Sequence, residues 1–190
     1  MKIGLFFGSF NPVHHGHLII ANTMAHYTDL NQVWFVITPH NPHKKQESLL
    51  HEFDRFDMVE KAIGDNHKLR ACDIEFHLPR PSYTIDTLTH ISEKYPQHEF
   101  ALIMGGDNLA SLKKWKNYEQ ILTYYAIYVY PRPHVQASEL DTHPKVQFVQ
   151  APMLDISATF IRNALQQNKS VKYLLPESVE EHIYRKKFYV

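Results

Sequence analysis

Residues 3–17 read IGLFFGSFNPVHHGH, a sequence that combines an apolar run, a polar turn and the beginning of a helix. The run Ile3–Phe7 is rich in strand formers and is followed by Gly8. Polar turn residues come next, and from His15 to about His26 the apolar residues recur at the spacing of a one-faced helix. This stretch therefore predicts a buried strand, a turn and a helix, in that order.

The same alternation of strand and helix continues along the chain. Further strands are predicted at Val33–Thr38, Leu69–Ile74, Phe100–Met104, Tyr125–Tyr130 and Val146–Val149. Helices are predicted at 53–63, Tyr83–Tyr95 and Tyr118–Leu122, and from about Ser157 and Pro176 onward. About five alternations predict an α/β fold: one domain over residues 1–190, with a Rossmann-like, doubly wound, mainly parallel sheet and helices on both faces. The polar loop Pro131–Pro144 is the segment expected to be mobile.

Composition excludes several classes of protein. The 190 residues carry 20 Lys and Arg against 20 Asp and Glu, so a coat for nucleic acid or an anionic membrane is not expected. Cys72 is the single cysteine, and no Cys/His spacing resembles a zinc site. No signal peptide is recognised, and no apolar run approaches the roughly 20 residues of a membrane span. We therefore expect a cytoplasmic protein without nucleic-acid or membrane partners, while a homo-oligomer stays open.

The turn after the first strand has the parts of an anion site. The carboxyl ends of parallel strands meet at one edge of a sheet, where ligands bind. Gly8 permits close approach of a ligand, and helix-initial N–H groups near Gly16 are typical phosphate donors. His14 and His17 are three residues apart, so a helical turn places them side by side, suited to charge on a transferring phosphoryl group. With 14 histidines in the chain, such a pair also arises by chance.

Two stretches resemble the signatures of a known superfamily. Residues 8–17 (GSFNPVHHGH) and 156–162 (ISATFIR) resemble the HxGH and ISxTxxR motifs of the HxGH nucleotidylyltransferases. Residues 42–44 (PHK), 81–84 (PSYT) and 105–108 (GGDN), together with Trp115, resemble the narrower family of bacterial nicotinate-nucleotide adenylyltransferases. The resemblance runs from Lys2 to about Ile183. Gly106 and Ala158 depart from these motifs. Position 106 varies within the family, and Ala158 leaves the neighbouring hydroxyls of Ser157 and Thr159 in place.

The resemblance implies a reaction without a protein nucleophile. In this family the phosphate of nicotinate mononucleotide attacks the α-phosphorus of ATP, pyrophosphate leaves, and deamido-NAD forms by in-line displacement. The enzyme must align two anions and neutralise growing negative charge. The resemblance also implies Mg²⁺ arriving with ATP, because magnesium keeps waters and substrate phosphates as ligands, and we expect no metal ligands from the protein.

The resemblance also assigns the residues of the site. His14, His17 and Arg162 are implied to be catalytic, and Tyr83, Thr84 and Trp115 to bind nicotinate mononucleotide. Arg132 follows the predicted fifth strand, where we expect it to meet the phosphate of the mononucleotide. The residues implied to bind ATP are Gly8, Ser9, Phe10, His17, Lys44, Gly105, Asp107, Ile156, Ser157, Thr159 and Arg162.

Several of these residues have a purely structural alternative. Ser157 and Asp107 are good helix N-caps, and Arg162 could be a solvated surface arginine. Trp34 lies in an apolar run and is expected in the core. Trp115, by contrast, lies among lysines, where an aromatic ring has little reason to pack, and an indole face suits an electron-poor pyridinium ring.

Three other functions stay open at this level. A phosphopantetheine adenylyltransferase or a cytidylyltransferase of the same superfamily would share both signatures, but as a rule lacks the Trp115 region. A nucleotide-binding regulator on the same fold is disfavoured by the presence of His14, His17 and Arg162. A metal-buffering protein is disfavoured because the histidines are scattered along the chain.

Overall fold

One parallel sheet organises the computed structural model, which describes residues 1–39, 49–133 and 135–189. Its strands are β1 (Lys2–Gly8), β2 (Gln32–Ile37), β3 (Leu69–Cys72), β4 (Glu99–Gly105), β5 (Ala126–Tyr130) and β6 (Val146–Phe148). Their order across the sheet is β3-β2-β1-β4-β5-β6, and every pairing is parallel. The predicted α/β class and the parallel sheet are thus confirmed.

The helices cover both faces of this sheet. They are α1 (His15–Tyr27), α2 (Glu52–Ile63), α3 (Thr84–Lys94), α4 (Gly106–Ser111), α5 (Tyr118–Tyr124), α6 (Ala158–Gln166) and α7 (Glu177–Lys186). One buried apolar cluster takes in residues of α1, α2, α6 and α7, and a second takes in residues of α3, α4 and α5. Neighbouring residues of β1 divide between them, since Leu5 belongs to the second cluster and Phe6 to the first. This is the alternation of a strand buried on both faces.

The strand order places a crevice at the carboxyl end of β1. The chain winds outward from β1 to β2 and β3, then returns to β4 on the other side of β1 and continues outward. Ligands of open α/β sheets bind at such a reversal, outside the carboxyl ends of the strands. The segments that follow Gly8 and Gly105 are therefore adjacent at this edge.

Three segments differ from the sequence-based expectation. The third strand stops at Cys72, and Ile74–His77 form a short 3-10 helix instead. Helix α4 was not predicted, because its six residues are too few for a clear period and begin in a glycine pair. The polar stretch 131–144 contains a 3-10 turn, Glu139–Thr142, in which the Leu140 amide donates to Oγ of Ser138 at 3.2 Å. Its expected mobility stays a prediction.

In the described ranges, no helix is both long enough and apolar enough to cross a membrane.

Candidate active site

His14 and His17 lie where β1 passes into α1. Their imidazole rings stack with centroids 3.7 Å apart and 26° between the planes, so the spacing of three does bring them together. His14 directly precedes α1 in an extended conformation and is only 6% exposed. His17 is half-buried, with its ring edge-on to that of Phe10 at 5.1 Å.

The two glycines of this signature are required by side-chain packing. A Cβ on Gly16 would lie 3.1 Å from Cε1 and Nδ1 of His14, which is tighter than ordinary contacts. A Cβ on Gly8 would lie 2.7 Å from the ring of Phe10. Phe10 is buried and itself has a positive φ of 46°, which folds its ring back onto the end of β1. The glycines therefore make room for the histidine and the phenylalanine of the same turn.

The protonation of the two imidazoles follows from their surroundings. Burial, assisted by the charges of His15 and Arg132, lowers the pKa of His14 to about 4, so this ring is neutral at pH 7. The main-chain N–H of His14 donates to Nδ1 of His17 at 3.3 Å. That contact makes Nδ1 of His17 an acceptor, so its ring carries a proton on Nε2.

The helix N-terminus offers fewer donors than the sequence predicts. The N–H of His15 donates to the carbonyl of Leu174 at 3.1 Å, and that of His17 donates to the carbonyl of His14 at 2.9 Å. Two of the first three amides of α1 therefore already have an acceptor. An anion at this end of the sheet would depend more on side-chain donors than on α1 itself.

The second signature lies against the first. Ser157 is the N-cap of α6, and its Oγ accepts from the N–H of Phe160 at 3.1 Å, so the capping interpretation is confirmed. Nη1 of Arg162 donates to the carbonyl of Asn11 at 2.8 Å, and Nη2 donates to Oγ1 of Thr159 at 3.3 Å. The surface-arginine alternative is therefore wrong, because Arg162 ties α6 to the turn after β1.

Asp107 and Arg132 face each other at the ends of β4 and β5. Nε of Arg132 lies 3.4 Å from Oδ1 of Asp107, and its Nη2 donates to the hydroxyl of Tyr130 at 3.3 Å. Asp107 is not the N-cap of α4, since Gly105 holds that position. A Cβ on Gly105 would lie 2.9 Å from Nε of Arg132, so this glycine makes room for the pair. The charge of Arg132 also contributes to the lowered pKa of His14.

Three of the four residues predicted for the second substrate lie in two neighbouring segments: Tyr83, Thr84 and Trp115. Tyr83 is the N-cap residue of α3 and Thr84 its first residue. Nζ of Lys116, next to Trp115, lies 4.7 Å from the centroid of the Tyr83 ring and 2.9 Å from Oδ2 of Asp86. The Trp115 segment and the start of α3 are thus brought together.

The expectation that the Trp115 ring has little packing role is wrong. Trp115 is half-buried and packs against the second apolar cluster, so the ring does have a packing role. Trp34 is 2% exposed, as expected for the core. Ile156 is half-buried against the first cluster, and the predicted ATP contact Lys44 lies outside the described residues.

Arg55 was missed by sequence reasoning. It is fully buried, and its guanidinium donates to four main-chain carbonyls: those of Leu50 (2.8 Å), Ser9 (2.7 Å), Thr38 (2.8 Å) and Pro39 (2.9 Å). Burial lowers its pKa to about 10, which leaves the group charged at neutral pH. Arg55 thus joins the turn after β1 to the end of β2.

Glu75 is a second residue that the sequence did not reveal. Its side chain is 2% exposed, and Oε1 accepts from the hydroxyl of Thr87 at 2.7 Å. Oε2 is buried and makes no hydrogen bond within the part of the chain that the structure describes. Burial raises the pKa of this carboxyl, while the hydroxyls of Thr87, Thr38 and Ser82 oppose the rise. The signal available in the sequence was an acid between the apolar residues Ile74 and Phe76, six positions before the start of residues 81–84.

One cavity lies away from the predicted site, and a smaller one adjoins it. A cavity of about 700 Å³ lies between α1 and α2, but none of the predicted site residues lines it. A smaller one, about 90 Å³, is lined by Gly106 and Arg132 and so adjoins the site.

Within residues 1–39, 49–133 and 135–189, no group of three or more His, Cys, Asp or Glu side chains could hold a metal ion.

Comparison with known proteins gives matches along nearly the whole chain. The model of the cytidylyltransferase-like family matches residues 5–164. A probable nicotinate-nucleotide adenylyltransferase of Cytophaga hutchinsonii is 63% identical over 100% of this chain and 98% of its own. One from Flavobacterium johnsoniae is 54% identical, with 100% and 99% covered.

A solved structure shares the fold. The nicotinic acid mononucleotide adenylyltransferase of Plasmodium falciparum, complexed with NaAD, matches with a TM-score of 0.83 over 99% of this chain and 97% of that one. The sequences are 22% identical, so this likeness speaks for the fold alone.

Proposed function

The chain belongs to the cytidylyltransferase-like family, and within it to the nicotinate-nucleotide adenylyltransferases; from this membership we propose that it transfers the adenylyl group of ATP to nicotinate mononucleotide. The products are deamido-NAD and pyrophosphate. A phosphate oxygen of the mononucleotide attacks the α-phosphorus, and the bond from that phosphorus to the bridging oxygen breaks. Pyrophosphate leaves with the electron pair in one in-line step, without a covalent enzyme intermediate.

One observation carries the proposal: Nη1 of Arg162 donates to the carbonyl of Asn11 at 2.8 Å. This contact joins the two signatures, so a guanidinium stands at the same sheet edge as the stacked imidazoles of His14 and His17. Arg132 follows β5 at the same sheet edge and adds a second guanidinium. The chemistry needs positive and donor groups converging on transferring phosphates, and this edge supplies them.

The histidines act as donors to ATP. His14 is neutral, so it can donate one N–H without repelling the guanidiniums beside it. His17 carries a proton on Nε2 because Nδ1 accepts from the His14 amide. Fixed donors of this kind stabilise the charge that grows on the phosphates in the transition state. In the proposal, Ser157, Thr159 and Arg162 bind phosphate from α6, and Asp107 accepts from the ribose.

The second substrate lies between Trp115 and the start of α3. An indole face stacks favourably on a cationic pyridinium ring, and first-turn amides near Thr84 can receive a carboxylate. Lys116 contacts the Tyr83 ring and pairs with Asp86, which links the Trp115 segment to the start of α3. Arg132 is assigned to the phosphate of the mononucleotide, because its guanidinium lies beside Asp107 just after β5.

Magnesium is proposed to enter as MgATP, as part of the substrate. Magnesium prefers oxygen ligands and keeps several waters, so substrate phosphates and water can hold it without a protein cage. The metal would neutralise phosphate charge, while the protein's own donors orient the phosphates.

The test is pyrophosphate release from MgATP with nicotinate mononucleotide, nicotinamide mononucleotide, phosphopantetheine or glycerol phosphate offered in turn. We expect turnover with a pyridine mononucleotide, and the first two substrates together decide between the acid and the amide. His17→Ala serves as the negative control, with a loss of roughly 100–1,000-fold in kcat. A folded protein that releases nothing with nicotinate mononucleotide, or more with phosphopantetheine, would contradict the assignment.

A further inference from the structure

Tyr189 contacts the first signature although it lies 178 positions away along the chain. Its hydroxyl donates to Oδ1 of Asn11 at 2.7 Å. Tyr189 has a positive φ of 66° and packs against the first apolar cluster. Burial raises the pKa of its phenol despite the opposing charges of Arg162 and Arg55, so the hydroxyl keeps its proton and stays a donor.

Asn11 relays this contact to the phosphate side of the site. The side-chain oxygen also accepts from the N–H of Leu50 at 3.3 Å, and the main-chain carbonyl accepts from Nη1 of Arg162 at 2.8 Å. Asn11 is 5% exposed, and its bond to Pro12 is cis. One residue of the turn is therefore held by α6, by the segment before α2 and by Tyr189.

Removal of the Tyr189 hydroxyl should cost the folded state little stability. If the hydroxyl is removed, Oδ1 of Asn11 still accepts from Leu50, so no buried acceptor is left bare. What changes is the freedom of the Asn11 side chain and of the peptide that holds Arg162. Misplacement of a phosphate-binding group by a fraction of an ångström affects transfer far more than folding.

We propose that Tyr189 is a positioning residue of the ATP site: its hydroxyl fixes Asn11 and, through the Asn11 carbonyl, the guanidinium of Arg162. This inference rests on the proposed adenylyl transfer. Tyr189 lies outside both signatures. Its substitution should affect ATP and not the mononucleotide, because Arg162 is proposed to bind the phosphates of ATP, whereas Trp115 and Thr84 are proposed to bind the mononucleotide.

The experiment compares Tyr189→Phe with Tyr184→Phe, which removes the same atom from an exposed tyrosine of α7. For both variants, kcat, the KM for each substrate and the thermal midpoint are measured, and ATP affinity is measured by calorimetry. We expect Tyr189→Phe to lower kcat/KM for ATP about five- to tenfold and to weaken ATP binding, because a freer Asn11 leaves the guanidinium of Arg162 less well oriented. The KM for nicotinate mononucleotide should hardly move, the thermal midpoint should fall by only a few degrees, as for the loss of one hydrogen bond, and Tyr184→Phe should match the wild type.

A double-mutant cycle with Arg162→Lys tests the route of the effect. If Tyr189 acts through Arg162, its substitution should cost much less in the lysine background than alone. Additive losses, a wild-type ATP affinity in Tyr189→Phe, or equal changes in both KM values would overturn the proposal. An inactive wild type would count against the proposed function, and the calorimetric ATP affinities would still decide the role of Tyr189.

Discussion

The hydroxyl of Thr87 donates to Oε1 of Glu75 at 2.7 Å, and both side chains are buried. The same hydroxyl lies 3.3 Å from the carbonyl of Tyr83, the N-cap residue of α3. A buried acid thus braces the first turn of the helix that is proposed to receive the nicotinate carboxylate. The contact joins the 3-10 helix Ile74–His77, which has no proposed ligand, to residues that are proposed to bind the second substrate.

Glu75→Gln and Glu75→Ala should separate shape from charge at this position. Glutamine keeps an acceptor for Thr87 and cannot ionise, so it should be at least as stable as glutamate at neutral pH, because burial raises the pKa of Glu75 and its ionisation opposes folding. Alanine should lower the unfolding free energy by about 1–3 kcal/mol and raise the KM for nicotinate mononucleotide. Urea titrations and steady-state kinetics measure both effects. An alanine variant with an unchanged KM would contradict the link to α3.

Arg55→Lys should show that the planar guanidinium, and not charge alone, holds the turn after β1. A lysine has three donors on one atom and cannot reach four carbonyls that come from separate segments. We expect a loss of about 2–4 kcal/mol in unfolding free energy, together with weaker ATP binding. Arg70→Lys, on the exposed side of β3, is the matched control and should cost under about 1 kcal/mol. Equal losses in the two variants would remove the special role of Arg55.

The burial of His14 predicts a loss of stability in acid. Its pKa falls from 6.5 to about 4 on folding, so the unfolded chain binds more protons than the folded one between these values. The unfolding free energy therefore drops as the pH is lowered through this window. His14→Asn should remove about 2–3 kcal/mol of the difference between pH 7 and about pH 4.5. His26→Asn, at an exposed position of α1, should leave the difference unchanged, and urea titrations at both pH values give the answer.

Local pattern was sufficient for most elements of the sheet. Apolar runs such as Ile3–Phe7 predicted strands, and the motif pair identified the edge where the site forms. Arg55 could not be predicted, because an arginine in an amphipathic helix usually faces water, and its acceptors are carbonyls of distant segments. The role of Tyr189 could not be predicted for the same reason, since only the fold brings this residue to Asn11. For Trp115, the neighbouring lysines suggested little packing, whereas the ring is half-buried against the second apolar cluster.

Trp115→Phe should act on the second substrate alone. Phenylalanine retains much of the packing against the apolar cluster but offers a smaller and weaker face to a cationic ring. We expect the KM for nicotinate mononucleotide to rise about three- to tenfold while the KM for ATP stays unchanged, as for a loss of about 1 kcal/mol at a cation–π contact. Steady-state kinetics with each substrate varied in turn measures this.

Trp34→Phe provides the control for this substitution. Trp34 is buried in the same apolar cluster, and its indole N–H donates to Oε1 of Gln32 at 3.1 Å. Its substitution should lower the thermal midpoint without altering either KM, because it lies in β2, away from the proposed ring site. If Trp115→Phe lowered the midpoint equally and raised both KM values together, Trp115 would be a core residue, and the pyridinium ring would have to bind elsewhere.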